Sequence, residues 1–110
     1  MKAIGIDIIE NIRVKKALSE SFLKKVLSPE EIEYSKDFRE KRKIEFVAGR
    51  FACKEAIIKC LSEYEIPEFN ELNIVNDEKG KPHIEYKDYK LLISISHEKD
   101  YSVATALLDD

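Results

Sequence analysis

The chain opens on a β-branched run. Across residues 2–9 (KAIGIDII), alternation puts Ile4, Ile6 and Ile8 on one face and Ala3, Gly5, Asp7 and Ile9 on the other, which predicts a strand. Residues 12–27 change period. Val14, Leu18, Phe22 and Val26 recur at helical spacing, with Lys15, Lys16, Lys24 and Lys25 among them. Ser28-Pro29-Glu30-Glu31 predicts a helix start: Ser28 can cap, Pro29 suits the first position, and Glu31 completes a capping box. This helix is short and ends near Ser35. Residues 36–43 (KDFREKRK) are so charged that they form a connection or the solvated first turn of the next element. Residues 44–61 (IEFVAGRFACKEAIIKCL) are the longest periodic segment and predict a helix. Glu63 to Glu71 is a loop containing Pro67. Turn chemistry from Asn76 to Pro82 separates the strand-like Leu72–Val75 and His83–Tyr86. Two more strands, Leu91–Ser96 and Ser102–Leu108, are joined through His97 to Tyr101. One strand, then helices, then antiparallel strands is an α+β order.

Size and charge narrow the function classes. At 110 residues the chain is expected to form a single domain, 1–110, whose modest core would benefit from self-association. Its hydrophobic content of 44% is that of a folded chain rather than a disordered one. A net charge of −3 argues against a broad basic field for nucleic acid. No segment approaches the length of a membrane span, and the start has too short an apolar run for a signal peptide, with Asp7 inside it. Cys53 and Cys60 make no C-x-x-C pair and have no histidine at zinc-finger spacing. They read as buried thiols of a cytoplasmic protein.

Two carboxylates stand out. On a helical wheel of about 100° per residue, Ile44, Ala48, Phe51, Ala52 and Ile58 fall within roughly 60° of Glu55, with Lys59 one turn on. That sets Glu55 in the middle of an apolar stripe, where an unpaired carboxylate is costly. Asp7 interrupts an apolar strand beside the small residues Gly5 and Ala3. Two inward carboxylates on separate elements can share a hard divalent cation such as Mg2+. The plainer alternatives are a surface Glu55–Lys59 ion pair at i,i+4 and an Asp7 that ends its strand in a turn.

The sequence resembles the holo-acyl-carrier-protein synthase family, the small branch of the 4′-phosphopantetheinyl transferases. The likeness is carried by Gly5-Ile6-Asp7 with Glu10 and Arg13, by Phe46 through Lys59 (FVAGRFACKEAIIK), by Gly80-Lys81-Pro82, and by Ser94-Ile95-Ser96-His97 with Tyr101. These motifs span nearly the whole chain in order. The resemblance implies the 4′-phosphopantetheinyl transferase fold and Mg2+-dependent transfer of 4′-phosphopantetheine from coenzyme A to a serine of an acyl carrier protein, releasing adenosine 3′,5′-bisphosphate. It implies Asp7 and Glu55 as metal ligands, with Lys59 on a phosphate oxygen. Glu55 or a water at the cation is left as the acceptor of the serine proton.

The resemblance also places Lys41, Arg42, Arg50, Lys54, Gly80, Lys81, Pro82 and His97 at coenzyme A. Arg50 points roughly 140° from Glu55 on the wheel. The homotrimer that the resemblance implies, with active sites between subunits, would let Arg50 and Lys41-Arg42 act across an interface. Arg13 is the implied carrier contact, extended by Lys16, Lys24 and Lys25 into a basic face for an acidic carrier protein. Taken singly, these residues have plainer readings: a solvated helix face for the lysines and Arg50, a strand-end turn for His97, a hairpin loop for Gly80-Lys81-Pro82. Ser62 to Pro67 lacks the glycines the family carries after its long helix, so that loop is expected to differ. A metal-dependent pyrophosphate hydrolase and a non-catalytic binding module are the competing functions.

Overall fold

The computed structural model describes residues 1–110 and confirms the α+β order. Strand β1 (Ala3–Glu10) leads directly into α1 (Asn11–Ala17), followed by α2 (Glu20–Val26), α3 (Pro29–Ser35) and α4 (Glu40–Leu61). A 3-10 turn (Phe69–Glu71) precedes the short strands β2 (Ile74–Asn76) and β3 (Pro82–Ile84), and the chain closes with β4 (Lys90–His97) and β5 (Tyr101–Asp109). No helix is long and apolar enough to cross a membrane.

The helix expected over 12–27 is two helices. Leu18 and Ser19 are extended, and the Ser19 hydroxyl accepts from the Phe22 amide at 3.0 Å. Serine favours this N-cap role over a helix interior, so the chain re-initiates there. The capping box at α3 forms as expected: Glu31 N–H donates to Ser28 Oγ at 3.1 Å, and Ser28 N–H to Glu31 Oε1 at 2.8 Å. The charged segment 36–43 divides, with 40–43 becoming the first turn of α4.

The main sheet is antiparallel with order β1-β5-β4. Its inner face carries the rows Gly5–Ala106–Ile93, Asp7–Ala104–Ile95 and Ile9–Ser102–His97. Helix α4 packs across this face. Ala48, Ala52 and Ala56 are fully buried against β1 and β5, where Ala104 and Ala106 are equally small. Short side chains on both surfaces bring the backbones close. A β-carbon at Gly5 would overlap the Ala56 carbonyl oxygen, so only glycine fits there. Cys53 and Cys60 are unpaired and buried among these residues.

The strand alternation predicted for β1 holds, but both of its faces are apolar. Ile9 is buried, while Ile4, Ile6 and Ile8 are 67%, 58% and 61% exposed on the outer face of the sheet. The wheel reading of α4 needs correction. The helix is buried nearly all round, so its apolar pattern carries little directional information. Phe51, Glu55 and Ile58 are half-buried and Lys59 is exposed, which puts Glu55 on the open side of α4 and not at the centre of its apolar stripe.

Candidate active site

The close approach of β1 to α4 sets the first half of the site. Asp7 sits on the inner face of the edge strand with its side chain 21% exposed. Lys59 Nζ donates to the Ile6 carbonyl at 2.6 Å and lies 3.5 Å from Asp7 Oδ1. Partial burial raises the Glu55 pKa, the negative charge of Asp7 raises it further, and Lys59 partly offsets both. The two carboxylates thus repel each other across the β1–α4 contact. No third carboxylate, histidine or cysteine joins them. Two hard oxygen ligands with an open side fit Mg2+, which keeps several waters and binds through one or two carboxylates plus substrate phosphates.

The second half is a cleft of about 270 Å3 on the other flank of α4, and it gathers Arg42, Arg50, Gly80, Pro82 and His97. Arg50 is not the exposed arginine of the plainer reading. It is 5% exposed, donates through Nη2 to the Ile74 carbonyl (3.2 Å) and Asn76 Oδ1 (3.1 Å), and stacks over Phe46. Its Nε lies 3.6 Å from Glu31 Oε2 and makes no hydrogen bond. Arg42 stacks over Phe38 at 3.8 Å. Gly80 takes the left-handed φ of 84° that the β2–β3 turn requires. Asp77 Oδ1 accepts from the Lys79 and Lys81 amides, which organises this turn. His97 Nδ1 is 2.9 Å from Ser102 Oγ, and its ring packs against Gly49. Burial lowers the His97 pKa; Glu45 opposes that shift and Arg50 adds to it.

Several expectations fall elsewhere. Lys54 is fully buried, with Nζ bonded to Glu31 Oε1 (2.5 Å), the Val26 carbonyl (2.8 Å) and the Phe69 carbonyl (3.0 Å). All three ammonium protons are engaged, so Lys54 is a structural cation and has no hand free for a cofactor. Lys41 points away from its neighbour Arg42, into an adjoining groove with Lys15 and Glu40. Consecutive helical residues diverge by about 100°, which splits the expected pair. Arg13 and Lys16 are exposed on α1, whereas Lys24 and Lys25 are exposed on α2. The break at Leu18-Ser19 therefore divides the single basic face read from the sequence. Lys24 is also paired with Glu20 at 3.4 Å.

Three residues were not anticipated. Glu31, read only as a cap, also accepts from Lys54 and from the Ile74 amide at 2.9 Å. Asn11 and Ser102 stand behind His97, with Ser102 Oγ donating to Asn11 Oδ1 at 2.8 Å. A lysine and an arginine four residues apart in an apolar helix were the available signal for Glu31. Asn11 and Ser102 carry no comparable mark.

Within one chain the two halves stay apart. Asp7 belongs to edge strand β1 and His97 to edge strand β4, with β5 between them and α4 above.

Comparison with known proteins extends this picture. The family model of the 4′-phosphopantetheinyl transferase superfamily matches residues 3–106. The holo-[acyl-carrier-protein] synthase of Staphylococcus haemolyticus is 41% identical, over 96% of this chain and 94% of that protein. The Mycoplasma capricolum protein of the same name is 47% identical, over 94% and 91%. Among solved structures, a Bacillus anthracis holo-(acyl-carrier-protein) synthase in complex with CoA (3′,5′-ADP) superposes with a TM-score of 0.89 at 37% identity, covering 97% of this chain and 95% of that one. The Helicobacter pylori enzyme in complex with coenzyme A gives a TM-score of 0.82 at 31% identity, covering 97% and 100%. With motifs, fold and near full-length identity in agreement, the chain belongs to the holo-acyl-carrier-protein synthase family of the 4′-phosphopantetheinyl transferase superfamily.

Proposed function

We propose that this protein is a Mg2+-dependent holo-[acyl-carrier-protein] synthase that moves 4′-phosphopantetheine from coenzyme A to a carrier-protein serine. In this reaction the serine oxygen forms a bond to phosphorus as its proton passes to Glu55 or to a water. The bond from that phosphorus to the bridging oxygen of the diphosphate breaks, and adenosine 3′,5′-bisphosphate leaves with that oxygen. The obstacle is charge: a hydroxyl must approach a phosphorus already surrounded by anionic oxygens. Asp7 and Glu55 would hold the cation, which supplies charge neutralisation at the diphosphate. Lys59 is tied through Ile6 and Asp7 but keeps a donor for a phosphate oxygen. Arg42, Arg50, the Gly80-Lys81-Pro82 turn and His97 form a cationic cradle suited to the adenosine phosphates.

The observation that carries this reading is the placement of Asp7 and Glu55 with Lys59 where β1 meets α4, two like charges that a bound cation would neutralise. The whole chain acts as one domain, and the active unit is a homotrimer that brings the carboxylate half of one subunit to the phosphate half of its neighbour. Exposed isoleucines on the outer face of the sheet support such association. Arg13 and Lys16 on α1 provide positive charge for an acidic carrier protein. We place the reaction in the cytoplasm, consistent with two free cysteines.

The test is to incubate the protein with coenzyme A, Mg2+ and an apo carrier protein, and to weigh the carrier. The expected result is a mass gain of one phosphopantetheine. Consumption of coenzyme A without that gain would mean hydrolysis, and no chemistry at all would mean a binding module.

A further inference from the structure

His97 reaches the phosphate cleft with its protonation pattern already chosen by two neutral residues behind it. The chain of constraints starts at Asn11, which is buried where β1 meets α1. Its Nδ2 lies 3.3 Å from the carbonyl oxygens of both Glu98 and Lys99. Two acceptors at that end of the amide require the NH2 group there, so Oδ1 points the other way. Oδ1 accepts from Ser102 Oγ at 2.8 Å. A serine hydroxyl has one proton, and this contact uses it. At its 2.9 Å contact with His97 Nδ1, Ser102 Oγ must therefore accept. Nδ1 carries a hydrogen whether the ring is neutral or charged. Nε2, beside Gly49, has no partner within the chain.

We infer that Asn11 and Ser102 are positioning residues that lock neutral His97 in its Nδ1–H form, so that the ring binds a phosphate group only as the imidazolium. Neutral His97 turns a lone pair toward the cleft, which repels a phosphate oxygen. Charged His97 turns an N–H there, which donates. The inference rests on the proposed reading of the cleft as a coenzyme A phosphate site.

Charges around the ring set the direction of the pH response. From α4, Glu45 favours the imidazolium and Arg50 opposes it; Arg42 of α4 and Tyr34 of α3 also border the cleft. Behind the ring stand only the neutral Ser102 of β5 and Asn11 of α1. Partial desolvation lowers the pKa of the free histidine, so phosphate binding near neutral pH would draw a proton onto the ring. Affinity is highest below the free pKa. It declines as pH rises toward the higher pKa of the complex, and stays low beyond it.

Two measurements test this. The first is nitrogen-correlated NMR of the imidazole rings above neutral pH, where His83 is the other histidine to assign. The wild-type protein should show neutral His97 as Nδ1–H. The second is affinity for adenosine 3′,5′-bisphosphate against pH, in the wild type and in Ser102→Ala. In the wild type affinity should fall about tenfold across the histidine titration. In Ser102→Ala the ring is free to place its proton on Nε2, and the fall should shrink. Ionisation of the ligand phosphate near pH ~6 affects both proteins alike and drops out of the comparison. An Nε2–H signature in neutral wild type, or identical pH curves for the two proteins, would overturn the inference. The wild-type spectrum decides even if Ser102→Ala does not fold. Carrier modification in a protein whose His97 ignores the bisphosphate sinks this inference and leaves the transfer reading standing. A locked, bisphosphate-responsive His97 in a protein that transfers nothing supports the inference while sinking the transfer reading.

Discussion

Lys59 and Lys54 lie on the same helix, yet their surroundings give them opposite roles. Lys59 is exposed and tied to β1 by its bond to the Ile6 carbonyl. Lys59→Ala removes a surface cation, so stability should change by no more than about 0.5 kcal/mol in urea unfolding. If the ammonium meets developing charge, kcat should fall about 10²-fold or more. Unchanged kcat would remove Lys59 from the mechanism. Lys54, with Arg50, depends on Glu31. Glu31→Ala would leave two buried cations without their carboxylate and orphan the Ser28 and Ile74 amides. The expected cost is about 3–5 kcal/mol in urea unfolding, well above that of Lys54→Met, which removes one charge and leaves Glu31 its other partners. Equal costs would contradict the hub role of Glu31. The sequence alone could not assign Lys54 correctly. Its partner lies 23 residues away inside a capping box that already accounts for a glutamate. Asp7 stood out as a charge inside an apolar run, and it lies within β1 on the face toward α4 rather than at a strand-ending turn. Asn11 and Ser102 did not stand out, since 91 residues separate them and neither breaks a pattern.

At the scale of elements, the site depends on how closely β1 and α4 pack. Gly5 lies against the Ala56 carbonyl and the Lys59 β-carbon, and Asp7 is the next residue on the same face. Gly5→Ala must push the strand and helix apart. A cost of about 1–3 kcal/mol is expected from overpacking. The displacement also carries Asp7 away from Glu55. Transfer measured at a temperature where the variant is fully folded should therefore still be reduced, and full activity there would show that the carboxylates tolerate a looser contact. Local signals fared well at this scale. The Ser28–Glu31 capping box, the strand alternation and the turn at Gly80 all formed as read. Two element readings failed, the first for a local reason and the second for a tertiary one. The apolar stripe over 12–27 ran through a serine that caps a second helix. Helix α4 packs against the sheet, α1 and α2 over most of its circumference, so the apolar stripe read from its sequence did not mark its open side and misplaced Glu55.

At the scale of the whole molecule, the unexplained feature is an apolar sheet face left in water. Residues opposite one another in an antiparallel sheet share a face. The outer rows are therefore Ile4–Leu107–Leu92, Ile6–Thr105–Ser94 and Ile8–Val103–Ser96. Leu92 is 63% exposed beside the three isoleucines, and no helix of the chain covers this side. A contiguous apolar patch of this kind marks an association surface. Association would also solve the geometric problem of the site, because β5 and α4 separate Asp7 from His97 within one subunit. In the proposed trimer, the sheet face would govern activity as well as assembly. Ile6→Lys places a charge in the central row, far from the buried face. In the isolated subunit that residue is already solvated, so folding should survive, as circular dichroism would show. In an assembly the same charge is buried without a partner, at a cost of several kcal/mol per copy. If the proposed trimer forms, sedimentation should report a trimeric wild type and a monomeric variant, and transfer should fall together with the trimer fraction. A monomeric Ile6→Lys protein with wild-type transfer would mean that one subunit holds a complete site, and the composite arrangement would have to be abandoned.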